Sequence, residues 1–329
     1  MTPRGVGALL VAAAIGAALS APFVAPHAAD GRDRSLLNAP PTVPRIVADD
    51  GSWHAPFIYR WRLVSQLEQR YEEDRSARVP LAWLSEGHLV RSRDDAAAPL
   101  LLLGADSFGR DVFSRLLFGA RISLGLAAVA ALGATLAGAF VGGLAGYRGG
   151  PIDDLLMRAT DFVMVLPAMY VALALRAVLP LVLTPPEVFA LLAAIFAALG
   201  APFIARGVRA IVRSERRLDY AAAAEALGAG GWRLLGRHLL PATRGFIAVQ
   251  ITVLVPAFIV AEATLSYVGL GFPDSVPTWG TMLHDASNVA LLGEAPWMLA
   301  PAAAIFLVVL AVNLLVQGSG RSPLLGGTN

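Results

Sequence analysis

An all-α integral membrane protein with six transmembrane helices is the fold class predicted by this 329-residue sequence. Three observations carry the prediction. The composition is 56% hydrophobic and only 15% charged, with a mean hydropathy of +0.63. Soluble domains run near a quarter charged, so this chain is too poor in charge to cover an ordinary water-facing surface. Six segments hold the roughly 20 apolar residues that a helix needs to cross about 30 Å of hydrocarbon. The arginines crowd into some connections and are absent from others, the pattern expected when positive charge sets orientation.

In chain order the spans are 5–25, 122–147, 162–183, 188–204, 246–268 and 297–316. The first also fits a cleavable signal peptide, with Arg4, an apolar run over 6–19 and small residues over 20–29. Its hydropathy favours a retained helix. The fourth is the shortest and needs help from its neighbours. Pro256 and Pro301 fall inside the fifth and sixth, where adjacent helices can satisfy the freed carbonyls. The connection between the fourth and fifth spans carries Arg206, Arg209, Arg213, Arg216, Arg217, Arg233, Arg237 and Arg244, and that between the second and third carries Arg148 and Arg158. Segments 184–187 and 269–296 have no arginine. With both termini cytoplasmic, every arginine-rich short loop lies inside. The long segment 26–121 then lies outside, where its arginines are matched by an equal number of acids.

Composition also removes most enzyme chemistry. All 26 Lys+Arg residues are arginine, which excludes a Walker A lysine, a Schiff-base lysine and a Ser–Lys nucleophile pair. With no cysteine, disulfides and thiol catalysis go too. His27, His54, His88, His238 and His284 are scattered and form no zinc motif. We expect no catalytic residue, no metal and no nucleic-acid partner, with lipid as the surrounding medium.

The chain divides into a transmembrane helix over 1–25, an extracytoplasmic insertion over 26–103 and a transmembrane domain over 104–321. Residues 26–56 read as loop, 57–75 have rough helical spacing with a charged end, and 79–103 hold a strand or two. The Asp94–Asp95 pair reads as a solvated turn, because no neighbouring histidine or third carboxylate supports a site. Polar residues inside spans are costly in lipid and should face protein or water. Glu262 is expected to bond between helices, Asn313 to face protein or water, Arg176 to snorkel to the interface, and Arg158 to pair with Asp161.

Two stretches carry the functional reading. In 104–124, Asp106 or Ser107 can cap a short helix. That helix lays Val112, Phe113, Leu116 and Leu117 along the membrane, with Arg110, Arg115 and Arg121 at headgroup level and Asp111 as a local partner. A plain surface helix before a span fits equally. In 219–241, residues 221–227 form a helix with almost no bulk, and the glycines at 228, 230 and 231 end it in a turn. A second helix follows with Trp232, Leu235 and Leu239 at apolar spacing. Such a hairpin suits a groove on a partner, and it suits an amphipathic connector on anionic lipid as well. Physics alone does not separate the two.

The segment from Leu103 to Val316 resembles the inner-membrane permease subunits of ABC importers of the dipeptide, oligopeptide and nickel type. Gly104, Asp106, Gly109, Arg110, Asp111, Ser114, Arg115, Gly119 and Arg121 match that family's GTDxxGRDxxSRxxxGARxSL segment, with Ala105 where threonine is usual. Residues 146–150 and 153–161 resemble its GYxGGxxD and MRxxD region, and 261–280 its AEAxLSFLGLG and PxWG segment. Residues 219–241 resemble the ATPase-coupling EAA loop, through Tyr220, Ala222, Ala223, Ala224, Gly228, Leu240 and Pro241. Ala222 takes the position of the usual glutamate. Glu225, three residues on and nearly on the same helix face, is expected to supply the missing charge. Gln317 stands where an aspartate is usual, and the insertion is longer than the family's outer loop.

The resemblance implies the ABC type I importer permease (MetI-like) fold in a bacterial inner membrane. It implies a second homologous permease as partner in a heterodimer, two ABC ATPase subunits that use ATP, and an extracytoplasmic solute-binding protein. No cofactor is bound by this chain itself. Peptide is the default cargo, with nickel or another small solute as alternatives. A self-contained channel or secondary transporter is the rival from another class, and it would ask for more mid-membrane charge than Glu262.

Overall fold

The computed structural model describes residues 2–49, 51–66, 69–178, 183–288 and 293–317. It forms two compact units, each built from separate stretches of chain. One comprises Ala8–Leu124 and Ala263–Ala311, the other Met1–Gly7, Gly125–Glu262 and Val312–Asn329.

The first unit contains most of helix α1 (Pro3–Val24) and an antiparallel sheet of β1 (Arg45–Val47), β2 (Trp53–Ser65), β3 (Arg70–Ser85) and β4 (His88–Ser92), in sequential order. The expected helix over 57–75 is therefore a hairpin; of its residues, Leu67 and Glu68 lie outside the described ones. Phe57, Ile58 and Tyr59 are consecutive and buried. Aromatic and β-branched residues favour a pleated surface, and pairing Phe57 with Pro80 and Tyr59 with Arg78 seats them there. Ile58, Leu81, Ala98 and Leu100 form one core; Leu36, Ala39, Leu101 and Ala105 form another under Trp61 and Tyr71. Ala21 in the last turn of α1 and Ala25 just after it pack on Leu117 and Phe113 of α2 (Val112–Arg148). The chain thus leaves α1 and enters α2 on the same side of this small core.

The second unit holds the rest of α2, α3 (Gly150–Val165), α4 (Ala168–Val178), α5 (Pro185–Glu215), α6 (Asp219–Ala226), α7 (Gly231–Leu234) and most of α8 (Arg244–Tyr267). α2 and α5 meet along a stripe of small residues. A side chain at Gly138 would come within 2.6 Å of the Ala201 carbonyl, and one at Gly146 within 2.7 Å of that of Arg209. Gly142, between them, abuts the Ala205 backbone. Small residues every fourth position let membrane helices approach backbone to backbone. α5 packs on α8 by stacking Phe196 on Phe258, ring centroids 5.5 Å apart.

The expected third span is not a single straight helix. α3 stops at Val165, Leu166 is extended, and α4 leaves at 87°. Pro167 has no amide hydrogen to continue α3 and forces the residue before it out of helical geometry. The expected end of that span, 179–182, lies outside the described residues, as does the end of the transmembrane domain at 318–321. α5 starts just before the short fourth span, at a Thr184–Glu187 capping box, and runs well beyond its far end to Glu215. Among the described residues two further α-helices follow, α9 (Trp279–Asp285) and α10 (Ala300–Gln317). Among the described residues, five helices are long and apolar enough to cross a membrane, or six if the bent α3–α4 pair forms one span.

Candidate functional site

In the unit that contains α1 and the sheet, segment 104–121 folds around buried charge rather than along a lipid surface. Asp106 accepts from the backbone amides of Phe108 and Arg110 (2.8 and 2.9 Å) and from Arg110 Nε at 2.6 Å. Gly109, at φ +72°, closes this turn; Asp33 lies against its α-carbon and donates its own amide to the Gly109 carbonyl. The other edge of the Arg110 guanidinium donates to Asp285 on α9 at 2.5 Å and to the Asp274 carbonyl at 3.0 Å. Arg115 joins the cluster 3.7 Å from Asp106 and 3.8 Å from Asp285. Both arginine side chains are only 1% exposed.

The expectation of Arg110 and Arg115 at headgroup level is thereby corrected: two arginines and two aspartates compensate one another inside the protein. Arg121 alone of the three is exposed. Burial pushes the Asp285 carboxyl above its usual range, against the pull of Arg110 and Arg115.

The cap of α2 is Asp111, not Asp106 or Ser107. Its carboxylate accepts the amides of Phe113 and Ser114, both at 3.1 Å, and the Ser114 hydroxyl at 2.5 Å. It is also 3.2 Å from His27, whose other ring nitrogen is 3.0 Å from Asp95. Burial alone would lower the His27 imidazole, but hydrogen bonds to Asp111 and Asp95, and their charges, raise it to about 9. Burial likewise works to raise Asp95, yet His27 and Arg91 hold it below the usual carboxylate range. The Asp94–Asp95 pair is thus a turn only at Asp94, which accepts the amide of Ala97. Sequence separation hid His27 from its acids. Gly104 and Gly119 serve close approach, the first to Trp297 and the second to Trp279. Trp297 Nε1 donates to the Ala105 carbonyl, so the position where threonine is usual is held through its backbone.

In the other unit, 219–241 forms a short exposed helix and a turn. Gly228, at φ +85°, follows α6; its amide donates to Glu225 and that of Ala229 to Ala224. This is a Schellman closure, which needs a left-handed residue at the glycine position. Ala221 is buried, while Ala222, Ala223 and Glu225 face outward and Ala224 is half-buried. Tyr220 donates to Glu215 at 2.7 Å. The following stretch is not a regular helix. One α-helical turn gives way to a π turn over Leu235–Leu239 and a 3-10 turn over Leu240–Thr243 containing Pro241. Leu234, Leu235 and Leu239 are buried, and Trp232, expected on the apolar face, is 66% exposed.

Behind this hairpin lies a second ionic brace. Asp153 at the start of α3 pairs with Arg209, 2.5 Å from its Nη2, and with Arg213 at 3.5 Å. One turn further along α5, Arg216 stacks on the Tyr147 ring and donates to its carbonyl. Asp161 takes Arg206 at 3.3 Å in place of the expected Arg158.

An apolar cavity of about 370 Å³ opens among α4, α5 and α8, with Gln250 the one polar side chain in its lining. Glu262 is fully buried and does not line it; Asn313 is exposed on α10. Arg176 does not snorkel, being only 3% exposed.

A family model described as the binding-protein-dependent transport system inner membrane component matches residues 111–321. The chain is 39% identical over 215 residues to the dipeptide transport system permease protein DppC of Bacillus subtilis, a match covering 65% of each protein. It is 37% identical over 216 residues to the oligopeptide transport system permease protein OppC of the same organism, covering 65% of this chain and 68% of the relative. The glutathione transport system permease protein GsiD of Pectobacterium atrosepticum is 36% identical over 221 residues, 66% of this chain and 69% of its own. The chain therefore spans just under two thirds of the length of the DppC relative. Among solved structures, the MetNI methionine ABC transporter in an inward-facing conformation is similar at a TM-score of 0.44 and 18% identity, covering 63% of this chain and 96% of that one.

Proposed function

The chain belongs to the family of binding-protein-dependent transport system inner membrane components, and from this we propose that it is a membrane-spanning permease subunit of an ATP-driven ABC importer for peptides. The observation that carries the reading is the family match over 111–321, which takes in both motif segments from Asp111 onward. Dipeptide, oligopeptide and glutathione in the relatives' names support short peptides as the cargo class. The chain contributes a path and a lever rather than a reaction. ATP hydrolysis belongs to two separate ATPase subunits, delivery to a solute-binding protein, and the other half of the path to a second permease. Both termini and 219–241 face the cytoplasm, and 26–103 faces outward.

α6 is the part that seats in an ATPase. Ala222 and Ala223 offer a bare surface for close approach, and Glu225 supplies the charge absent at 222. ATP-driven closure moves α6; the Asp153–Arg209 and Arg216–Tyr147 contacts carry that movement to α2, α3 and α5. Work passes only if α6 is held differently in the two states of the transporter. A Gly228→Asp substitution adds a side chain to a left-handed position and a negative charge beside Glu225. It is expected to reduce uptake of a labelled dipeptide at least tenfold while the protein reaches the membrane at normal levels and the ATPase subunits still hydrolyse ATP. Normal uptake by this variant would sink the assignment of α6 as the coupling element.

A further inference from the structure

The β-sheet carries its three most exposed apolar side chains at one end, and the transport reading uses none of them. Antiparallel pairing of Val47 with Trp53, Phe57 with Pro80 and Ser85 with His88 brings three strand ends together there: the end of β1, the start of β2 and the β3–β4 turn. On them sit Trp53, 75% exposed, Leu84, 72% exposed, Trp83 and Val47. Leu84 has φ +51°, a left-handed conformation that favours glycine, yet the position holds a large apolar side chain pointed into open space.

A second observation fixes where this end of the sheet lies. His88 Nδ1 donates to the carbonyl of Ala25 at 2.7 Å. Ala25 is the residue after α1, whose 22 residues at about 1.5 Å each match the thickness of the hydrocarbon core. β4 therefore starts at the membrane exit of α1, and Leu84 lies four residues from His88 across a tight turn, within about 10 Å of it at strand spacing. Tryptophan at that depth is the side chain the membrane–water interface selects. Glu86, the one acid in the turn, is paired with Arg91, so its charge is not offered to lipid alone.

We propose that this end of the sheet, through Trp53, Trp83 and Leu84, lies in the headgroup layer of the membrane that α1 crosses and anchors the insertion to lipid. The occupant of the patch is the bilayer itself, continuous with the lipid around α1. The anchor holds whatever solute the protein moves, so it stands apart from the transport reading.

The chain has no cysteine, so a single spin label can be placed without background. The full-length Leu84→Cys and Trp83→Cys variants, labelled and reconstituted in phosphatidylethanolamine–phosphatidylglycerol vesicles, are read by power saturation against oxygen and a water-soluble nickel chelate. Glu72→Cys, at the other end of the sheet, serves as the aqueous control. Labels at 83 and 84 are expected to collide several-fold more with oxygen, relative to the chelate, than the label at 72. Equal accessibility at 72, 83 and 84 would overturn the proposal. So would shielding of 83 and 84 that arises only when a solute-binding protein is added, which would assign the patch to a protein partner.

Discussion

His27 lies between two carboxylates far along the chain from it, Asp111, 84 residues on at the cap of α2, and Asp95, 68 residues on beside β4. The three side chains join the exit of α1 to the start of α2 and to the insertion. Because the folded state raises His27 to about 9 from an unfolded value of 6.5, the folded state holds its proton more tightly. Its contribution is fully present below pH ~6.5 and is lost as pH rises through about 9; the full shift corresponds to roughly 3 kcal/mol. Thermal unfolding of the purified protein should therefore show a midpoint that falls between pH 6.5 and 9. In His27→Gln that slope should be largely gone and the midpoint lower at pH 6.5. An unchanged slope in the variant would mean His27 does not carry the ionic link. Arg110 forms a second ionic link in a drier setting. Its two acids, Asp106 four residues back and Asp285 across the unit, meet it edge-on, and removing one member of such a buried set leaves an uncompensated charge.

At the scale of elements, α2 and α5 depend on the glycines at 138, 142 and 146. A Gly142→Val side chain would be driven into the Ala205 backbone, which cannot yield as a side-chain tip can. Overpacking of this kind costs about 1–3 kcal/mol, and the thermal midpoint in detergent should drop accordingly. Gly125→Ala, on the same helix with nothing near its α-carbon, should be neutral or slightly stabilising, since alanine is the better helix former. Equal behaviour of the two variants would rule out the stripe as a packing seam. Helix content was legible in the sequence because apolar runs of that length have few alternatives. The break at Pro167 was less so: hydropathy averages across a proline that neighbours can accommodate in one span and that ends the helix in another. The hairpin of 57–75 reads as helical in sequence because Phe57, Ile58, Trp61 and Leu63 also satisfy a loose helical period, and only the pairing of β2 with the following β3 decides between the two.

For the molecule as a whole, the family motifs were visible as strings, and the turns they encode were partly readable. Gly228 was expected to end a helix, and it does. What the motif arginines do is not readable, because Asp285, the acid both approach, lies far along the chain and no spacing rule links it to them. The same holds for Asp153, whose arginines sit on α5. We propose that this permease works only within a larger assembly, joined to it through α6. The most direct test is affinity purification of the tagged full chain from its native membrane in mild detergent, with a photo-crosslinking residue at position 225 and mass spectrometry of the products. An ATPase subunit crosslinked at 225 and a second permease co-purifying are expected. A protein recovered alone, with no ATPase captured at 225 from intact membranes, would rule out coupling through α6.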